Sequence, residues 1–303
     1  MVPMRAVATT LAAAARPSPL QIARDVVALG KPRLSALVLS TAAGGMWLAP
    51  GQRDAASAVA LLLGTAAVVS AANALNNFIE RDSDRLMRRT RDRPLAAGRL
   101  DPWVALVMGL GLPVFALPLM AWFTNALTAS LAALALTLYA CVYTPMKRTS
   151  SLALFVGAVP GAIPPLMGWT AVTGRLDAGG LALFALLFVW QLPHFLAISL
   201  YLREDYARGG LRVFALVHGE RATQVAAAVT SALLLPTSLL LVPLGVAGPL
   251  YGAVATVLGV ALLCWALIGL RRDGPAQRWA RNFFLGTLAY LTVLFAALFV
   301  WAR

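Results

Sequence analysis

Runs of about twenty apolar residues recur along this chain from one end to the other. A helix needs roughly 20 mainly apolar residues to cross the hydrocarbon core of a bilayer. The runs fall at 34–48, 55–78, 102–123, 126–143, 152–172, 181–202, 222–242, 247–270 and 283–301. They predict an all-α, polytopic membrane protein with nine transmembrane helices around a central cavity open to the cytoplasmic side. Several runs carry Pro or Gly, which membrane helices tolerate. With 60% of the 303 residues hydrophobic and 12% charged, a soluble domain would lack polar surface.

A net charge of +13 would suggest nucleic acid in a soluble protein. Here the positions of the charges say otherwise. Five of the 25 Lys and Arg lie in residues 1–33, seven after the second span and two after the fourth. Four more follow each of the sixth and eighth spans, leaving only Arg53, Arg175 and Arg303 for the opposite side. The positive-inside rule then places the N-terminus in the cytoplasm and the C-terminus outside. The charge is topology, and no nucleic-acid partner is needed. Residues 1–33 read as a basic cytoplasmic tail and 34–303 as the membrane domain, in a bacterial inner membrane. The arginine-bearing, acid-poor start also suits a transit peptide, which makes a mitochondrial inner membrane the alternative. Cys141 and Cys264 stand far apart inside apolar runs and read as small buried hydrophobes.

Against this background residues 76–95, NNFIERDSDRLMRRTRDRPL, hold six arginines and four acids. Polar groups in a membrane helix are costly and mark function by default. If the second helix continues, Asn76, Glu80 and Asp84 form one stripe about 12 Å long, with Asp82 facing away. Such a row of hard oxygen ligands suits Mg²⁺, which one or two carboxylates hold together with water and substrate phosphates. The arginines that follow, Arg91 and Arg93 among them, can clamp phosphate oxygens.

The fourth span ends with Tyr139, Tyr143 and Lys147, again at i, i+4 and i+8, followed by Arg148. On the sixth, His194, Tyr201 and Asp205 return to one helical face, the imidazole inside the membrane and the carboxylate about 16 Å away. Three helix ends thereby converge on one cavity. No Walker loop, Gly-x-Gly-x-x-Gly or Ser-His-Asp order is present, which weakens nucleotide and hydrolase readings. A lipid diphosphate held with a cation is the substrate this mouth suits.

Asn76-x-x-x-Glu80-x-x-x-Asp84 resembles the first acidic motif of the UbiA-type intramembrane prenyltransferases. The stretches 87–95 (MRRTRDRPL), 143–169 (YTPMKRTSSLALFVGAVPGAIPPLMGW) and 190–210 (WQLPHFLAISLYLREDYARGG) resemble the haem-farnesylating branch of that family. The resemblance implies farnesyl transfer from farnesyl diphosphate to a vinyl group of haem b, with water adding, to give haem O. Haem b would be a substrate rather than a cofactor, and Mg²⁺ the cofactor. Haem A synthase or terminal oxidase assembly factors are the partners this implies, with membrane lipid around the domain. It also implies Glu80 and Asp84 as metal ligands with Asn76 orienting them, and Asp205 helping a second metal. Arg91, Arg93, Lys147 and Arg148 would receive the departing pyrophosphate, Tyr143 would face the allylic cation, and His194 would ligate or orient the haem. This chain departs from the family's commoner aspartates at Asn77 and Glu80. The alternatives are a prenyltransferase for an aromatic acceptor such as a quinone precursor and, in another class, a lipid-anion transporter.

Overall fold

Every secondary-structure element in the described residues, 18–271 and 276–301 of this computed structural model, is helical. Arg5, Arg16, Arg272 and Arg303 of the charge count lie outside the described residues. A short helix α1 (Pro19–Leu29) leads into α2 (Pro32–Leu48), bent from it by 43°. There follow α3 (Ala55–Leu86), α4 (Pro102–Phe123) and α5 (Ala126–Thr137), the last continued by a π-helical turn (Leu138–Tyr143) and α6 (Thr144–Met146). The remainder is α7 (Ala153–Thr173), α8 (Ala178–Tyr201), the short α9 (Arg203–Arg208), α10 (Phe214–Leu239), α11 (Pro249–Leu270) and α12 (Ala276–Val300). Among the described residues eight helical segments are long and apolar enough to cross a membrane, α5 through α6 counting as one, and nine if the bent pair α1–α2 is also one span.

Four of the spans start where the sequence supplies a side-chain cap. Asp54, Asp101, Asn125 and Asp177 each accept a backbone N–H from the first turn of α3, α4, α5 and α8, which satisfies donors a helix start leaves orphaned. Four boundaries differ from the sequence reading, the ninth span beginning at Ala276 rather than at 283. The second span runs on past 78 to Leu86, because its charges find partners and need not leave the helix. The seventh starts earlier, at Phe214, and passes a kink at Gly219 (φ 82°). The tail segment before residue 34 contains α1.

The run GAVPGAIPPLMGW forms most of α7, the most enclosed span. It lies against α2 at backbone distance. A Cβ on Gly168 would stand 1.9 Å from Ala42 O, and one on Gly45 would stand 1.9 Å from Pro165 O. Small residues are what permit such an approach between membrane helices. Outward-facing positions are apolar, as in Trp103, Leu110, Phe115 and Trp122 of α4, which suits contact with lipid rather than water. Cys141 and Cys264, expected to be buried, are also exposed on this outer surface.

Candidate active site at the charged end of the bundle

Helix α3 is continuous through Asp84, so Asn76, Glu80 and Asp84 do share one face, at 2%, 5% and 1% exposure. Asp82 points outward and pairs only with Arg81 and Arg85. A buried charge costs several kcal/mol unless it is paired, and each member of the stripe takes a cation from a different element. Lys31 Nζ donates to Asn76 Oδ1 at 2.9 Å, Lys147 pairs with Glu80, and Arg93 Nη1 donates to Asp84 Oδ2 at 2.7 Å. Arg148 Nη2 reaches Ile79 O at 3.1 Å and Ser83 Oγ at 3.3 Å on the same helix. Asp84 Oδ1 is buried and accepts no hydrogen bond.

The other asparagines hold the elbow between α1 and α2. Asn73 Nδ2 donates to Gly30 O at 3.2 Å, and Asn77 Nδ2 to Asn73 O at 2.8 Å and Leu29 O at 3.5 Å. At the elbow Lys31 has φ 49°, the one positive φ at a non-glycine among the described residues. That conformation costs about 1–3 kcal/mol for a side-chain-bearing residue, and it delivers the ammonium to Asn76.

The loop 87–101 lies across the site as a strap. Its backbone N–H groups at Arg88 and Arg89 donate to Asp205 at 2.8 and 3.4 Å. Arg99 makes a two-pronged pair with Asp25 of α1 at 3.0 Å for each contact. Leu95 and Leu100 pack on Leu29 and Ala74 beneath it. Burial pushes the Asp205 carboxyl up, but the Arg208 guanidinium and the two backbone N–H groups outweigh it and hold the group below its ordinary 3.8.

The π turn after α5 places the Tyr139 and Tyr143 rings 5.3 Å apart, with Lys147 Nζ 4.6 Å from the Tyr143 centroid. Single π turns inside α-helices occur often at functional sites. From here a second chamber opens, walled by Tyr143, Lys147, Ser151, His194, Tyr206 and Arg212. Lys147 belongs to both places, since it pairs with Glu80 and lines this cavity.

The structure therefore assembles Asn76, Glu80, Asp84, Arg93, Tyr143, Lys147 and Arg148, with His194 in the adjoining wall. Three expected members stand apart. Arg91 turns outward to Asp92 at 3.9 Å. Tyr201 packs against the apolar core of α8 and α10–α12, its carbonyl accepting from Gln277 Nε2. Asp205 shares no helical face with His194, because α8 ends at Tyr201 and a break at Leu202 starts α9. Both its oxygens are engaged by the strap and Arg208, so Asp205 holds a loop here and does not face the stripe with a free oxygen. Lys31, Tyr206 and Arg212 were missed. Lys31 had a signal, a lysine between Gly30 and Pro32 just before the first span, but it was counted as tail charge.

Among the described residues no three His, Cys, Asp or Glu side chains are grouped to hold a metal by themselves. Glu80 and Asp84 nevertheless suit Mg²⁺ bound jointly with phosphates and water. The oxygen of Asp84 without a donor is the position where such an ion would be satisfied.

The described residues form an all-helical membrane bundle with a buried amide–carboxylate stripe at a lysine- and arginine-rich mouth, the architecture of an intramembrane protein with a polar site at one end. The chain belongs to the UbiA prenyltransferase family, whose model matches residues 37–288. It is 67% identical over 294 residues, 97% of this chain and 99% of the relative, to the protoheme IX farnesyltransferase of Anaeromyxobacter sp. (strain Fw109-5). The fold matches a solved digeranylgeranylglyceryl phosphate synthase at TM-score 0.78 and 15% identity, covering 92% of this chain and 97% of that one. It also matches a UbiA homologue from Archaeoglobus fulgidus bound to DMAPP and Mg²⁺, at TM-score 0.61 and 17% identity, covering 89% and 99%.

Proposed function

We propose that this prenyltransferase moves a farnesyl group from farnesyl diphosphate to a vinyl group of haem b, with water adding, to give haem O. The observation that carries the site assignment is the buried Asn76–Glu80–Asp84 stripe, joined through Lys147 to a chamber walled by His194. The near full-length identity to a protoheme IX farnesyltransferase supports the acceptor. By the charge asymmetry the mouth opens to the cytoplasm of a bacterial cell across its inner membrane.

In this reading Glu80 and Asp84 would hold Mg²⁺ with Asn76 orienting them, and the ion would supply charge neutralisation to the diphosphate. Lys31, Arg93, Lys147 and Arg148 donate to phosphate oxygens, where negative charge grows as the farnesyl C1–O bond breaks and pyrophosphate takes the electron pair. The Tyr143 ring faces the resulting allylic cation, and the apolar walls keep water from it. The vinyl terminal carbon bonds to C1. Water then adds to the other vinyl carbon and gives up a proton. His194 orients the porphyrin from the far wall.

The test is incubation of purified protein with Mg²⁺, farnesyl diphosphate and either haem b or 4-hydroxybenzoate, with products identified by mass. Farnesylated, hydrated haem is expected. A product from 4-hydroxybenzoate alone would overturn the acceptor.

A further inference from the structure

Thr287 of α12 is completely buried and takes two contacts from α8, one helical turn apart. Its carbonyl accepts from Trp190 Nε1 at 2.8 Å, and its Oγ1 lies 2.9 Å from His194 Nδ1. A threonine hydroxyl has one proton, and this one goes to Phe284 O at 2.7 Å. Toward His194 the oxygen is left only as an acceptor, so the shared proton resides on Nδ1. A neutral imidazole protonated at Nδ1 carries a bare lone pair on Nε2. The ring cannot readily turn away, since it stacks on Trp190 at 4.9 Å and packs, tilted, against Phe284 at 4.6 Å. His194 lines the chamber beside Lys147, and no protein group among the described residues hydrogen-bonds Nε2.

We propose that Thr287 is a positioning residue that holds His194 as the Nδ1–H tautomer and so presents Nε2 to the acceptor as a ligand for porphyrin iron. Imidazoles that ligate metals are commonly fixed this way, by donating the other ring N–H to an acceptor behind them. The tautomer is inferred from the two contacts of Thr287 Oγ1, since a carbonyl oxygen at 2.7 Å can only accept. The identity of the ligand rests on the haem reading above.

The chain has two histidines, so ¹⁵N-histidine-labelled protein gives two imidazole signals, and His218→Gln identifies the one from His194. Without haem, the ¹⁵N shifts should report Nδ1–H and bare Nε2. Thr287→Ser should keep that state, and Thr287→Val should lose it. Ferric haem b is then titrated without farnesyl diphosphate, with imidazole ligation read from the Soret band and low-temperature electron paramagnetic resonance. Thr287→Val should weaken haem binding about 10–100-fold and lose the imidazole signature, while Thr287→Ser stays near wild type. Thr287→Ala serves where the valine variant fails to fold. An Nε2–H tautomer in the wild type overturns the proposal, as does a scrambled tautomer that leaves haem binding unchanged. Haem bound by the wild type without imidazole ligation overturns the iron assignment alone. Absence of any haem binding strikes the haem reading itself, while the ¹⁵N shifts still decide the tautomer.

Discussion

The two walls of the site are built on opposite principles. On the α3 side, charge meets charge: three polar side chains in a row are each held by a cation from a different element. On the other side, helix α8 itself carries no charged side chain, although Lys147 and Arg212 line the same chamber. An imidazole is held by two aromatic rings and one threonine, and no group among the described residues hydrogen-bonds its far nitrogen. The first arrangement suits a highly charged substrate group that can displace protein cations from protein anions and take them over. The second suits a flat, largely apolar partner recognised at a single atom. The division assigns diphosphate chemistry to one wall and acceptor recognition to the other, and substitutions can separate the two.

The largest effect is expected at the charged wall. Glu80→Gln or Asp84→Asn removes an anion and strands the lysine or arginine that faced it. Turnover should fall about 10²–10³-fold, the range for losing one preorganised electrostatic contact, while the protein still inserts and purifies. Pyrophosphate release measures it, and full activity in either variant would remove the metal assignment. Withdrawal of Mg²⁺ should mimic both variants in the wild type and add little to either.

At the uncharged wall, His194→Ala should weaken haem binding more than tenfold and leave the dissociation constant for farnesyl diphosphate within about twofold. Paired titrations test this directly. Equal losses for both ligands would mean the walls do not divide the work. Lys31→Met should do the reverse and by less. Loss of one charge-assisted hydrogen bond, about 1.5 kcal/mol at the low end of its range because the site keeps three other cations, raises the KM for farnesyl diphosphate on the order of tenfold with haem binding unaltered.

The contrast also explains what could be read in advance. Charged side chains in a chain this apolar need a reason to be there, and helical spacing alone put Asn76, Glu80 and Asp84 on one face with Asp82 off it. The spans were legible for the same reason, because apolar runs of bilayer length have few other uses. Thr287 left no trace in the sequence. Threonine hydroxyls in membrane helices ordinarily bond back to their own helix, as Thr287 also does to Phe284 O, and its second partner is 93 residues away. Asp205 misled because periodicity assumes an unbroken helix, and the chain breaks at Leu202 without a proline to announce it. Lys31 was hidden by its company, one basic residue among five before the first span, until the left-handed turn at the elbow brought it to Asn76.

The smallest effect belongs to Asp205, and it decides whether that residue serves the site or only the strap. As a loop anchor it joins α9 to the backbone at Arg88 and Arg89, and Asp205→Asn keeps an acceptor while losing the charge that strengthens those bonds. A cost of about 1 kcal/mol is expected, felt as faster hydrogen exchange across residues 87–93 and a change of no more than a few-fold in turnover. The pH dependence carries the sign. The folded carboxyl lies below 3.8, so its contribution is complete above that value and disappears as the pH falls through the lower folded one. Exchange in the strap, normalised to its intrinsic rate, should therefore be flat from pH 7 to about 4 in the wild type and rise below. In Asp205→Asn it should be faster throughout, with no such step. A loss of turnover as large as that of Asp84→Asn, with the strap still protected, would return Asp205 to the metal site.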